Sequence, residues 1–98
     1  MATTNKIYQV TTATTAAAII TPAVGEQFTM SQLLVHNPTA ALETFIIYIN
    51  TVQVYEQAIP AKNSFTIQGP WLFENGDSVD CEATVDELTF TAFGILNN

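Results

Sequence analysis

The stretch Ser78-Val79-Asp80-Cys81-Glu82-Ala83-Thr84-Val85-Asp86 alternates apolar and polar side chains without a break. Val79, Cys81, Ala83 and Val85 share one face, while Ser78, Asp80, Glu82, Thr84 and Asp86 share the other. Side chains repeat every two residues along a strand and about every 3.6 around a helix, so this pattern specifies a β-strand with one dry face. Similar short runs, each closed by Pro, Gly or Asn, fill the C-terminal part of the chain. The sequence therefore reads as strands with few chemically reactive residues mounted on them, which is the profile of a building block and not of an enzyme.

Earlier segments follow the same rule. A first strand is expected from about Lys6 to Thr12, where Ile7, Tyr8 and Val10 favour extended backbone. The Ala16-Ala17-Ala18 run is the one place where a helical turn competes. Phe28 to Val35 follows, with Leu33-Leu34-Val35 apolar on both faces, as in a strand covered on both sides. His36-Asn37-Pro38-Thr39 reads as a turn, Leu42 to Ile49 as the most hydrophobic strand, and Asn50-Thr51 as a tight hairpin into Val52 to Ile59. In that last strand, strict alternation puts Val52, Val54, Glu56 and Ala58 on one side and Gln53, Tyr55 and Gln57 on the other. Pro60-Ala61-Lys62-Asn63 and Gly69-Pro70 read as turns around a short strand carrying Phe65 and Ile67. Glu74-Asn75-Gly76-Asp77 is the strongest turn signal, and a final strand is expected from Leu88 to Leu96. Turns spaced about 8–12 residues apart predict an all-β chain, an antiparallel β-sandwich of small jelly-roll or Ig-like type.

A chain of 98 residues fits one domain, residues 1–98, with 1–18 as either an extended N-terminal arm or the first strand. Charged residues make up only 11% of it, against about 25% in ordinary soluble domains. Its surface must therefore be built largely from Thr, Ser, Asn, Gln and Ala, which offers little electrostatic protection against association. The net charge is −7, and Lys6 and Lys62 are the two basic residues. Nucleic-acid binding, which needs several cations facing phosphates, is not expected, nor is binding to an anionic membrane. No stretch approaches the roughly 20 apolar residues of a membrane helix, and Thr11, Thr12, Thr14 and Thr15 interrupt any signal-peptide core. The sequence points to a soluble protein made without an export signal.

Candidate chemistry is sparse. Cys81 is the single cysteine and lies on the dry face of its strand, as a small buried hydrophobe would. His36 is the single histidine, so any Ser-His or Cys-His site must use it. Glu74, Asp77, Asp80, Glu82, Asp86 and Glu87 cluster in one region, where calcium binding would require several oxygens to converge and where solvated strand faces are the simpler reading. Asp80 and Glu82 form an outward stripe suited to a basic neighbour. Trp71 and Tyr55, with Tyr48, are the aromatics available for a glycan platform, although Trp71 between Pro70 and Leu72 suits a core or an intersubunit seam better. The candidate binding residues are thus Trp71, Tyr55, Asp80 and Glu82; no catalytic residue, metal or cofactor is expected.

Five segments carry a resemblance to a known group. They are Leu34-Val35-His36-Asn37-Pro38-Thr39, Phe45-Ile46-Ile47-Tyr48-Ile49, Ile59-Pro60-Ala61-Lys62-Asn63-Ser64-Phe65, Gly76-Asp77-Ser78-Val79-Asp80-Cys81-Glu82-Ala83 and Thr89-Phe90-Thr91-Ala92-Phe93-Gly94-Ile95. Spanning Phe28 to Ile95, this pattern resembles small virion proteins of tailed bacteriophages, compact β-sandwiches attached to heads, necks or tails. The resemblance implies a non-enzymatic structural role in the virion, foremost as a head decoration or cement protein packed on the major capsid protein or other virion proteins. A neck, tail or baseplate part, including a carbohydrate-binding adhesion module, is the alternative. The charge-poor surface separately points to a homo-oligomer, with a trimer guessed from local symmetry common in capsids, and the Thr-rich N-terminal segment is the candidate arm for strand addition to a neighbour.

Overall fold

The computed structural model of the protein describes residues 3–11 and 14–98. Eight strands follow one another: β1 (Thr3–Thr11), β2 (Ala17–Ile20), β3 (Gln27–His36), β4 (Glu43–Ile49), β5 (Val52–Ile59), β6 (Ser64–Glu74), β7 (Val79–Ala83) and β8 (Thr89–Asn97). They form two four-stranded sheets, β1-β8-β3-β6 and β2-β7-β4-β5. Every ladder is antiparallel. The chain changes sheet at each connection except the β4–β5 hairpin, and this strand order is that of an eight-stranded jelly roll. Of the two sandwich types expected, the jelly roll is the one observed, because an Ig-like order would keep more consecutive strands in one sheet.

The two inner faces make one core. Phe28, Met30, Leu33, Val35, Phe90 and Ala92 from the first sheet meet Phe45, Ile47, Val79, Cys81 and Ile20 from the second. Phe45 is its aromatic hub, with Phe90 edge-on at 5.7 Å, Phe65 at 6.0 Å and Tyr55 stacked at 6.3 Å. Asn50 and Thr51 at the β4–β5 turn both take positive φ, the geometry that matches a two-residue hairpin to the strand twist.

Several segments differ from the sequence expectation, each for a physical reason. The Ala-rich segment is not helical: Ala17–Ile20 pairs with β7 and buries Ile19 and Ile20, so tertiary pairing overrides local propensity. The first strand already begins at Thr3 and pairs along the whole of β8; its expected end at Thr12 lies outside the described residues. Gly69-Pro70 is not a turn but lies inside β6. Because β6 is an edge strand and its register with β3 shifts at this point, the missing proline N–H breaks no regular ladder. The alternating run is strand only from Val79 to Ala83, after which Thr84 to Glu87 bend before Leu88 returns to the core. The expected alternation of β5 is also broken. A register shift opposite Ile47 and Tyr48 pairs Tyr48 with Gln53 and brings Gln53 round to donate to Glu56 Oε1 at 3.4 Å.

Candidate functional site

The four residues singled out for binding do not form one site. Trp71 and Tyr55 lie on edge strands of different sheets, β6 and β5, and both pack against the core. The Trp71 ring meets Phe73 edge-on at 6.4 Å, and Tyr55 sits against Phe65 at 5.8 Å. Phe65 and Trp71 are six positions apart on one strand, about 20 Å, so the two rings do not make a shared platform.

Asp80 and Glu82 do come together, with partners that lie on other strands. On the outer face of the second sheet, Ile46 of β4 is flanked by Glu82 on β7 and Glu56 on β5. In the neighbouring row Tyr48 lies between Asp80 and Gln53. The Tyr48 hydroxyl donates to Glu82 Oε1 at 2.9 Å. That hydrogen bond, reinforced by burial and by the charges of Glu82 and Glu56, pushes the Tyr48 phenol above its ordinary range. This face is acidic, and a shallow groove of about 300 Å³ runs between Glu56 and Glu82 beside Thr44 and Thr84.

The acids of the β6–β7 turn are already engaged within the fold. Asp77 Oδ2 accepts from Glu74 N at 2.9 Å, Asp77 Oδ1 accepts from Asn50 Nδ2 at 3.1 Å, and Glu74 Oε1 accepts from Gln27 Nε2 at 3.2 Å. The Glu74 N–H, followed by the Asn50 amide, holds the Asp77 carboxyl below the usual carboxylate range, with burial opposing. Among the described residues no group of three or more His, Cys, Asp or Glu is arranged to hold a metal ion.

His36 is the last residue of β3, not a turn residue, and its Nδ1 lies 2.8 Å from Ser64 Oγ. The two are ladder partners, so sheet register alone brings them together. A nucleophilic serine also needs oxyanion donors and a substrate cleft, and among the described residues neither His36 nor Ser64 lines the grooves at residues 25–27, at residues 5–7 or between Glu56 and Glu82. Cys81 is fully buried on the inner face of β7, away from this pair's outer face.

The outer face of the first sheet is assembled from strands far apart in the sequence. Register places its residues in rows across β1, β8, β3 and β6, and one central row is Asn5–Ile95–Thr29–Leu72. The next is Ile7–Phe93–Gln32–Gln68, and beyond it Gln9–Thr91–Leu34–Thr66. Among the described residues, the outward ladder positions carry ionisable side chains in the end rows alone, Glu74 at one end and His36 at the other, while Lys6 borders the face on β1 between Asn5 and Ile7. Ile7, Leu72 and Ile95 are 59%, 56% and 43% exposed, and a groove of about 430 Å³ is lined by Lys6, Ile7, Thr29, Pro70, Phe93 and Ile95. The sandwich thus has one acidic broad face and one almost uncharged broad face. Charge partition of this kind was invisible in the sequence because it depends on which strands share a sheet.

No protein-family model matches the sequence, and no curated protein matches it. Among solved structures, the chain is similar to a chain in the structure of infectious bursal disease virus, Gt strain, at 13% identity and a TM-score of 0.31. The match covers 94% of this chain but 32% of that one, so this chain spans about a third of its length. Fold and faces together define the class: an eight-stranded antiparallel jelly roll with chemically opposite outer surfaces.

Proposed function

We propose that this chain is a structural virion protein of a tailed phage, a decoration or cement protein that strengthens the head by packing on the major capsid protein. The observation that carries this reading is the segregation of charge between the two sheets. A small rigid sandwich with an acidic face and an uncharged face works as a tile. The acidic face, with Asp80, Glu82 and Glu56, suits a basic patch on a capsid lattice, because charge complementarity steers docking and fixes register. The uncharged face is left for neutral protein surface. The sequence resemblance to small tailed-phage virion proteins supports the same role.

The test is the copy number of this chain in purified particles of the source phage, measured by quantitative mass spectrometry against the major capsid protein. Near-stoichiometric abundance is the expected result. A handful of copies would move the protein to the neck, tail or baseplate, and absence from the particle would overturn the virion reading.

A further inference from the structure

We infer that the uncharged outer face of the β1-β8-β3-β6 sheet is a docking surface for a second copy of this chain, forming a two-fold dimer. The inference stands on the face itself and holds whether or not the protein belongs to a virion.

Charge selects the partner. Each copy carries a net charge of −7, so copies repel one another in most orientations. Apposing these faces avoids that repulsion, because their central rows hold no ionisable side chain. The carboxylates of Asp80, Glu82 and Glu56 lie behind the second sheet, about 10 Å further back in each copy. Across the interface those acidic faces are then separated by more than two Debye lengths at physiological salt, about 8 Å each.

Shape agrees with charge. Leu72 projects from β6 at one edge of the face, and the groove runs across all four strands, from Lys6 and Ile7 on β1 past Phe93 and Thr29 to Pro70 on β6. A two-fold axis running along the strands, between β8 and β3, exchanges the two edges. It seats Leu72 of each copy beside Asn5 and Ile7 of the other and lays Ile95 over the partner's Thr29. The row Asn5–Ile95–Thr29–Leu72 then faces its own reverse, as the same patch on both copies does in any isologous interface. The same operation keeps the two Glu74 side chains on opposite edges.

Area is sufficient. Four strands about 4.8 Å apart and about nine residues long cover roughly 600 Å² per copy, or about 1,200 Å² in total. That reaches the lower limit of a specific interface before side-chain relief is counted. Leu34 gives the face an independent signature: β3 is apolar at Leu33, Leu34 and Val35, yet only Leu33 and Val35 enter the core, leaving Leu34 on the outer face.

The test is sedimentation equilibrium of the full chain over a range of concentrations, with circular dichroism to verify folding. The wild type is expected to be a dimer. Leu72→Lys combined with Ile95→Lys should weaken it by roughly a hundredfold, while Val54→Lys on the other sheet should leave it unchanged. If the double lysine variant fails to fold, Leu72→Thr with Ile95→Thr, which keeps strand propensity, is read in its place. A wild type that stays monomeric at high concentration would overturn the inference. So would a trimer, or a dimer that survives the face variants.

Discussion

Gly69 and Gly94 grip the same stretch of β3 from opposite sides. A Cβ on Gly69 would collide with the carbonyl oxygen of Met30, and one on Gly94 with the carbonyl oxygen of Thr29 and, at 2.7 Å, with the Phe28 ring. Between the two glycines the registers of β3 with β6 and with β8 both shift at Ser31, whose hydroxyl donates to Phe93 O at 2.9 Å. Glycine is needed here for close backbone approach at a bulge, not for an unusual φ.

Gly94→Ala is therefore expected to destabilise the protein by about 3 kcal/mol, the range of overpacking a site that cannot yield. Gly25→Ala is the control. Gly25 has φ of 83° with open space around it, so the change should cost about 1 kcal/mol through backbone strain alone. Urea denaturation of both variants measures the difference; equal losses would show that the bulge tolerates a Cβ.

Asn37 should be as sensitive. It is fully buried, and its Nδ2 faces the carbonyl oxygens of Ala41, Ile59 and Pro60 at 2.9, 3.0 and 3.3 Å, while Oδ1 accepts from Thr39 N at 2.9 Å and Thr39 Oγ1 at 2.7 Å. One side chain thus ties the β3–β4 loop to the end of β5. Asn37→Leu is expected to lose about 3 kcal/mol, because it strands buried carbonyls without a donor. A loss under about 1 kcal/mol would show that water replaces the amide.

The strands were legible because alternation and turn chemistry are local. Val79, Cys81 and Ala83 could be assigned to a dry face from spacing alone, and all three are buried. Asn37 could be read only as a turn residue before proline, since its acceptors at Ile59 and Pro60 are more than twenty positions away. Gly69-Pro70 misled for the opposite reason: it has turn composition, but its surroundings supply an edge strand and a bulge. The acidic stripe at Asp80 and Glu82 was visible, whereas Tyr48 and Glu56 join it only through the pairing of β4 with β7 and β5. The uncharged face was hidden because its rows draw on four strands from Thr3 to Asn97.

Acid should loosen the β6–β7 turn. The Asp77 carboxyl is held low in the folded protein by Glu74 N and Asn50 Nδ2, whereas in the unfolded chain it returns to about 3.9. A depressed folded value contributes stability that is present above the unfolded value and is lost as pH falls through the folded one. Urea midpoints should therefore fall on acidification below about pH 4, and Asp77→Asn should make that decline shallower. An identical acid profile in the variant would remove Asp77 from the account.

Trp71 tests core against glycan platform. Its ring is half-buried and packs against Phe73, so Trp71→Ala should cost about 2 kcal/mol, below the 3–5 kcal/mol of a fully buried aromatic. Thermal unfolding measures the loss. Unchanged stability, together with loss of retention on a glycan array, would reverse the assignment.

The acidic face provides the test closest to the proposed role. Asp80 and Glu82 share an outer face with Glu56, and Glu82 is further positioned by the Tyr48 hydroxyl. If this face docks on a basic capsid patch, attachment should weaken with added salt, because exposed charges separated by more than a Debye length are screened. Asp80→Asn with Glu82→Gln should then reduce binding to particles lacking the protein by about tenfold and flatten the salt dependence. Tyr48→Phe should have a smaller effect, since it frees Glu82 without removing its charge. Binding that resists salt and both acid substitutions would show that the head is engaged through a different surface, leaving the uncharged face as the first to examine by the same substitutions at Leu72 and Ile95.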